Sequence, residues 1–347
     1  MTHDTWVEVS RDALRANFEN VAKHAAVPVC AVVKANAYGH GIAETARIFA
    51  EAGAAMLGVS RLDEARAIRA ADIHTPILIL MPVPDAREAL RSHCEVTVGS
   101  AAGIEMLQPE MRAHLEIDTG MGRLGVPPSE AVAAAEAVRA RATLAAVCTH
   151  FADAAHTGRA QLDRFNAVVR ALRHHGIECP AHVSNSAGLL TLPDARFDMV
   201  RVGNLLYGEN PAGARAPWEL QATFGWHARV VSVRTLHAGA TVGYGSEWKA
   251  EREMRVATLP IGWADGFTVE PRPRTRSAKQ VARAVRSALT SERSVTFGGR
   301  RARVVGRVAM QSTTVSLEGL DEIEVGAAAL IPARRLAVSA LIERVYV

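Results

Sequence analysis

Residues Val29 to Gly41 read V-C-A-V-V-K-A-N-A-Y-G-H-G. Five small or β-branched apolar residues, Val29 to Val33, describe a fully buried strand. The run ends on Lys34, and a loop of Asn36, Tyr38, Gly39, His40 and Gly41 follows at once. A lysine at a strand end is ordinarily a solvated charge. At the carboxyl end of a buried parallel strand it is placed for chemistry. Burial penalises the ammonium form, lowers its pKa and leaves an amine able to act as nucleophile or base near neutrality.

Outward from this stretch, strand and helix signals alternate. Thr5 to Val9 alternates polar and apolar, and Ser10 is placed to cap a helix from Arg11 to about Ala25. A helix over Ala43–Ala52, closed by Gly53, leads to a strand at Met56–Val59 and a helix capped by Ser60. Apolar runs at Ile77–Leu80, Glu95–Val98, His114–Ile117 and Leu144–Cys148 read as strands. An amphipathic helix from about Ala160 to His175 and strands at His182–Ser184 and Met199–Val202 complete the series. Eight strands with helices between most of them predict a (β/α)8 barrel over residues 10–220.

After Gly208 the character changes. Asn210, Pro211, Gly213 and Pro217 mark a linker, and from Gln221 the pattern is β-branched and alternating. Strands are expected at Arg229–Arg234, Met254–Leu259, Arg303–Val308, Thr313–Leu317, Glu322–Val325 and Leu336–Val345. Residues 221–347, joined by the N-terminal strand in 1–9, therefore predict an all-β domain. Residues 271–293 interrupt it with Arg272, Arg274 and Arg276 alternating with prolines and small polar residues, then a basic helix from Ala278 to Leu289. A solvated surface insertion is the expectation there, with an acidic partner or a subunit contact as the alternative.

At 347 residues the chain suits two domains, and 49% hydrophobic with 22% charged residues is an ordinary globular composition. The net charge of +4 is not gathered into a stripe, so a nucleic-acid partner is not expected. Cys30, Cys94, Cys148 and Cys179 lack CxxC spacing and read as free thiols of a cytoplasmic protein, without disulfides or a metal site. The first residues lack the basic and apolar regions of a signal peptide, and no apolar run approaches a membrane span.

Barrel enzymes carry catalytic groups at the carboxyl ends of their strands. Here those positions hold Lys34, Arg123, His150, Asn185, Ser186, Arg201, Gly203 and Asn204. Barrels often bind phosphate after strands seven and eight. Those loops offer the Ser186 hydroxyl and the backbone N–H groups around Gly203 and Asn204, and Tyr38 can turn its hydroxyl to the same anion. A cofactor with an aldehyde at one end and a phosphate at the other would suit this arrangement.

The motifs A-V-V-K-A-N-A-Y-G-H-G, D-T-G-M-G-R-L-G, T-H-F-A, N-S-A, R-V-G-N-L-L-Y-G, V-G-Y-G-S, A-T-L-P-I-G-W-A-D-G and G-R-V-A-M span nearly the whole chain. In them the sequence resembles the alanine racemase family, enzymes dependent on pyridoxal 5'-phosphate (PLP). The resemblance implies that Lys34 carries PLP and serves as one base. It implies that Tyr244, reaching in from the partner subunit of a homodimer, is the other. Arg201 would face the pyridine nitrogen, and His150 would sit against the ring and link Tyr244 to Arg201. Arg123 would hold the substrate carboxylate, and Met310 would also come from the partner. Two bases on opposite faces are what removal and return of an α-proton with inversion requires. The sequence departs from the family pattern at Glu116 for a lysine, Trp263 for a tyrosine, Gln311 for an aspartate and Ala340 for a tyrosine. A racemase of broader specificity, a decarboxylase of the same plan and a non-catalytic PLP carrier are the alternatives. Arg201 argues against the decarboxylase, and Tyr244 with its β domain against the carrier.

Overall fold

The computed structural model describes residues 4–213, 215–269, 293–332 and 334–347. The chain forms two compact units, Ser10–Thr223, and Met1–Val9 together with Phe224–Val347. Strand β1 (Thr5–Val9) opens the chain and belongs to the second unit.

The first unit is an eight-stranded parallel barrel. Its strands are β2 (Val29–Val32), β3 (Met56–Val59), β4 (Ile77–Ile79), β5 (Cys94–Val98), β6 (Arg112–Glu116), β7 (Thr143–Cys148), β8 (Ala181–His182) and β9 (Val200–Val202). They neighbour one another in the order β8-β7-β6-β5-β4-β3-β2-β9. A parallel bridge between His182 and Met199, and a 2.8 Å bond from Arg201 N to Ser184 O, join the two ends of the sheet. Every residue of β2, β3 and β4 is buried, which is why those stretches read as unbroken apolar runs rather than alternating ones.

Local chemistry sets the helices between the strands. Ser10 Oγ accepts from Ala13 N at 3.2 Å and starts the helix Arg11–Ala25, a cap that contributes about 1 kcal/mol. Its buried face carries Leu14, Phe18 and Val21, with Phe18 stacked 5.8 Å from Phe49 of the helix Ile42–Glu51. The helix Leu62–Ala70 starts differently from the expectation. Arg61, not Ser60, holds the cap position, and Glu64 reaches back to accept from the N–H groups of both. A carboxylate at the third helical position thus satisfies the N–H groups that enter the helix, the reciprocal half of a capping box.

The barrel interior carries a column of polar side chains. Arg201 Nη1 donates to His182 Nδ1, His182 Nε2 lies 2.6 Å from His114 Nδ1, and His114 Nε2 lies 2.7 Å from Glu95 Oε2. Arg112 Nε then donates to Glu95 Oε1 at 2.8 Å. Arginine can only donate and a carboxylate only accept, so the ends fix the middle. Both histidines are neutral with the proton on Nε2, and every bond points from Arg201 towards Glu95. Burial opposes the Glu95 charge, but the bonds from His114 and Arg112 outweigh it and hold the carboxyl below its usual range.

The second unit is a β fold. Its strands after β1 are β10 (Phe224–Arg229), β11 (Ser232–Leu236), β12 (Thr241–Val242), β13 (Trp248–Lys249), β14 (Met254–Leu259), β15 (Ser294–Phe297), β16 (Arg300–Val305), β17 (Thr313–Ser316), β18 (Ala328–Ile331) and β19 (Glu343–Tyr346). Nine form one sheet in the order β11-β14-β17-β16-β15-β18-β10-β1-β19, and β12 pairs with β13. The N-terminal strand thus lies antiparallel to β10 and parallel to β19.

Three expected strands are wrong here. Arg229–Arg234 is divided between β10 and β11, with exposed Val231 at the break. Glu322–Val325 is a turn, with bonds from Ile323 N to Leu320 O and from Ala327 N to Glu324 O before Gly326 at φ 91°; the strand follows at Ala328. Of Leu336–Val345 only the end, from Glu343, is strand, and that strand runs on to Tyr346. The earlier part backs another loop, where a Cβ on Gly266 would meet Ala337 O at 2.0 Å and Ser339 N donates to Asp265 O. The basic stretch 271–293 lies, apart from Arg293, outside the described residues.

The histidine column predicts an acid sensitivity. Burial, above all, lowers the pKa of His114 and takes that of His182 well below its ordinary value. The unfolded chain therefore binds more protons than the folded one once pH drops below about 6.5, and stability falls with it. The thermal midpoint is expected to drop between about pH 7.5 and pH 5, less steeply in His182→Asn. Equal slopes in the two proteins would contradict this origin.

Candidate active site

Lys34 leaves β2 into one tight turn, Lys34–Tyr38. Ala35, Asn36 and Ala37 are left-handed, at φ/ψ of 54/53, 54/46 and 52/53°, and Tyr38 follows at φ 53°. That backbone costs an L-residue about 1–2 kcal/mol, so consecutive left-handed residues need external partners. The rest of the motif supplies them. Asn36 Oδ1 accepts from Ile42 N at 2.9 Å. His40 is buried, with Nδ1 3.1 Å from Ala37 O and Nε2 2.8 Å from Thr223 Oγ1. Tyr207 stacks on Tyr38 at 4.7 Å and donates its hydroxyl to Val32 O at 3.0 Å. Gly39 and Gly41, at φ 89° and 98°, turn the chain between these contacts.

Arg123 is carried by the loop after β6. Asp118 Oδ1 accepts from the N–H groups of Gly120, Met121 and Gly122 at 2.9–3.0 Å, which fixes the D-T-G-M-G turn. A Cβ on Gly125 would lie 2.6 Å from Asp118 N, so only glycine lets the loop fold back this tightly.

Arg201 is buried, and the protein occupies four of its five N–H groups. Nη1 donates to His182 Nδ1 and, at 3.1 Å, to His182 O. Nη2 donates to Thr149 O at 2.7 Å and to His150 Nδ1 at 3.3 Å. Nε–H takes no partner among the described residues. His150 is held neutral, its pKa pushed down to about 3 by burial and by the Arg201, Arg123 and Lys34 charges. Since Nδ1 accepts from Arg201, its proton is on Nε2.

Ser186, Gly203 and Tyr38 build an anion cradle. Ser186 Oγ accepts from Gly203 N at 3.3 Å and Leu205 N at 3.4 Å, which leaves its own proton to donate. A Cβ on Gly203 would meet Tyr38 Oη at 2.4 Å. The close approach of hydroxyl and backbone thus requires glycine at this position.

These groups line one cavity of about 460 Å³, together with Asn185, Asn204 and Glu116. Nine of the residues read from the sequence meet there: Lys34, Tyr38, Arg123, His150, Asn185, Ser186, Arg201, Gly203 and Asn204. The Asn185 side chain is engaged in structure, accepting from Gly188 N at 2.9 Å as a helix cap and donating to Phe151 O at 3.4 Å. Burial, then Arg123, lowers the Lys34 pKa; Glu64 opposes this and Arg201 adds to it. Glu116 is a buried carboxyl on the cavity wall, pushed up by burial against the pull of Arg201 and Arg123. Tyr244 and Met310 belong to the β unit, where they are 73% and 57% exposed.

Sequence reasoning missed Glu64, Glu95, His114 and His182. His114 and His182 open two of the expected strands, a position that reads as a strand end rather than as part of an interior network. Glu64 falls in the first turn of its helix, where a carboxylate reads as a favourable helix-end charge. No group of three or more His, Cys, Asp or Glu among the described residues could hold a metal ion. The site offers an amine of lowered pKa, the remaining N–H of Arg201, the Arg123 guanidinium and an anion cradle, the donor set of an elongated, phosphorylated ligand with a carbonyl.

Comparison with known proteins bears on the family and the fold. The sequence profile of the alanine racemase N-terminal domain matches residues 9–211, and that of the C-terminal domain residues 223–344. Alanine racemase 1 of Bacillus subtilis (strain 168) is 34% identical over 335 residues, 91% of this chain and 80% of that protein. The solved alanine racemase of Clostridium difficile 630 superposes with a TM-score of 0.89 at 26% identity, covering 100% of this chain and 96% of that one. An alanine racemase from Bartonella henselae, solved with covalently bound pyridoxal phosphate, gives a TM-score of 0.82 at 27% identity over 99% of this chain and 100% of that one. With both domain profiles matched in order and relatives aligned along most of their length, this chain belongs to the alanine racemase family of isomerases.

Proposed function

We propose that this protein interconverts L- and D-alanine with PLP held at Lys34, as a homodimer in which Tyr244 of the partner subunit completes each site. The observation that carries the reading is the meeting of Lys34, the remaining Arg201 N–H and the Ser186–Gly203–Tyr38 cradle in one cavity.

The residues present fit PLP. The Ser186 and Tyr38 hydroxyls and the backbone N–H groups around Gly203 and Asn204 would hold its phosphate. The Nε–H of Arg201 would donate to its ring nitrogen, and Lys34 would meet its aldehyde. When bound, PLP withdraws electrons from the substrate's α-carbon and makes its proton acidic.

The chain's own residues do the rest. Arg201 keeps its proton at any working pH, so the group it faces stays an acceptor. The lowered pKa of Lys34 raises the share of neutral amine available to take a proton on one face. His150, neutral with Nε2–H, would donate to the phenol oxygen of the partner's Tyr244. Arg123 would hold the substrate carboxylate, and the partner's Met310 would line the entrance. Tyr244, Trp263 and Met310 are all exposed large side chains of the β unit, the kind of surface a second copy covers.

Borohydride reduction of the PLP-loaded protein, followed by peptide mapping, is expected to place the cofactor on Lys34, and L-alanine should exchange its α-proton in deuterated water. Label on a different lysine would sink the assignment.

Gly203→Ala should weaken PLP binding on the order of tenfold, about 1.4 kcal/mol, because the new Cβ contests the place of the Tyr38 hydroxyl. Fluorescence titration with PLP measures this, and unchanged affinity would remove Gly203 from the cradle.

Chains carrying Lys34→Ala and chains carrying Tyr244→Phe should each be nearly inactive. Mixed dimers should regain one working site, and failure in a verified heterodimer would mean that each site is built from a single chain.

A further inference from the structure

The left-handed turn after Lys34 begins with an N–H that the turn itself does not use. Ala37 N donates to Val33 O and Gly39 N to Ala35 O, whereas Ala35 N, the amide joined directly to Lys34, donates 2.6 Å to Glu64 Oε1. The other oxygen of the same carboxylate, Oε2, accepts from Ser60 N at 2.8 Å and Arg61 N at 3.1 Å. Glu64 is 8% exposed, so water does not readily replace these bonds. We propose that Glu64 is a positioning residue for Lys34: its carboxylate clamps the left-handed turn to the start of the helix Leu62–Ala70 and so fixes where the amine stands.

Geometry separates the clamp from an ordinary cap. A capping box needs a side-chain acceptor only for its own helix start, and Oε2 serves it alone. Oε1 is left over for a segment 29 residues earlier in the chain. Neighbouring Asp63, by contrast, is exposed and pairs with the Arg61 side chain at 3.0 Å. The clamped peptide is the one that sets the direction of Lys34 leaving β2, and the backbone beyond it is strained at consecutive non-glycine residues. Holding such a turn takes short, charge-assisted bonds to groups that cannot move away, and Glu64 is anchored at both ends. The carboxylate also has an electrostatic effect. Among the influences on Lys34 it alone favours the ammonium form, against burial, Arg123 and Arg201.

The proposal rests on Lys34 being the cofactor lysine, and the experiment keeps the two ideas apart. Glu64→Gln, Glu64→Asp and Ala65→Gly are compared with the unsubstituted full-length chain. Three quantities are read: kcat and KM for alanine in the PLP-loaded enzyme, the pH midpoint for acetylation of Lys34 in the chain without PLP, and the thermal midpoint. Glu64→Gln is expected to lower kcat at least tenfold with KM within about threefold, and to move the acetylation midpoint down. Glu64→Asp keeps the charge and can still serve the helix start, but is one methylene too short to bridge both segments. It should lose kcat with a smaller change in midpoint, and it decides the question if Glu64→Gln does not fold. Ala65→Gly weakens the same helix without touching the clamp, so it should lower the thermal midpoint alone. Wild-type kcat and acetylation midpoint in both Glu64 variants would overturn the proposal, whatever happens to thermal stability. If borohydride places no PLP on Lys34 of the unsubstituted chain, the cofactor assignment fails, and the acetylation midpoint still decides the clamp.

Discussion

A guanidinium buried in the barrel at Arg201 constrains everything around it. It cannot lose its proton, and four of its N–H groups must find acceptors out of water's reach. Two backbone carbonyls and two imidazole nitrogens meet that demand. Each imidazole that accepts must carry its proton on the far nitrogen, so the tautomers of His150 and His182 follow from the arginine. His182 then passes the same demand to His114, and the series ends where a carboxylate, Glu95, can accept without donating. One fixed positive charge thereby orders polar groups from the cavity to the amino end of β5.

The same column shows why part of the site is hidden in a linear reading. Lys34, His150 and Arg201 announce themselves because each stands where an apolar run ends or is interrupted at a strand terminus. His114, His182 and Glu95 do not, because the strands that carry them are short and their facing inward depends on the pairing of neighbours far apart in sequence. The barrel itself was readable from eight apolar runs, and the helix at Arg11 from Ser10. In the β unit alternation was a weaker guide. Glu322–Val325 alternates like a strand, yet local bonds between residues three apart turn it back on itself. Leu336–Ala340 is used as backing for the Gly266 loop instead of joining the sheet.

The A-N-A-Y-G-H-G motif illustrates a further limit. Its small residues suggest a loop, but nothing in their order discloses a left-handed turn. That conformation exists because Asn36 and His40 brace it from within the motif and Tyr207 and Glu64 hold it from outside, the last two coming from separate parts of the barrel unit. Alanine at 35 and 37 offers the turn the least side-chain bulk short of glycine. The strain lies beside the one amine whose place in the cavity matters most.

The sheet of the β unit has a consequence for how the protein is made. Strand β1 leaves the ribosome before the barrel, yet its two neighbours are β10, more than two hundred residues later, and β19, later still. Trp6, Val7 and Val9 must wait through synthesis of the whole barrel before their sheet can form. The barrel draws only on residues from Ser10 to Thr223 and can close while the β unit is still incomplete. Biogenesis is therefore split in time: one body matures early, and β1 stays unpaired until β10 emerges and half-paired until β19 arrives. In a cell that interval is when a chaperone has the most to protect.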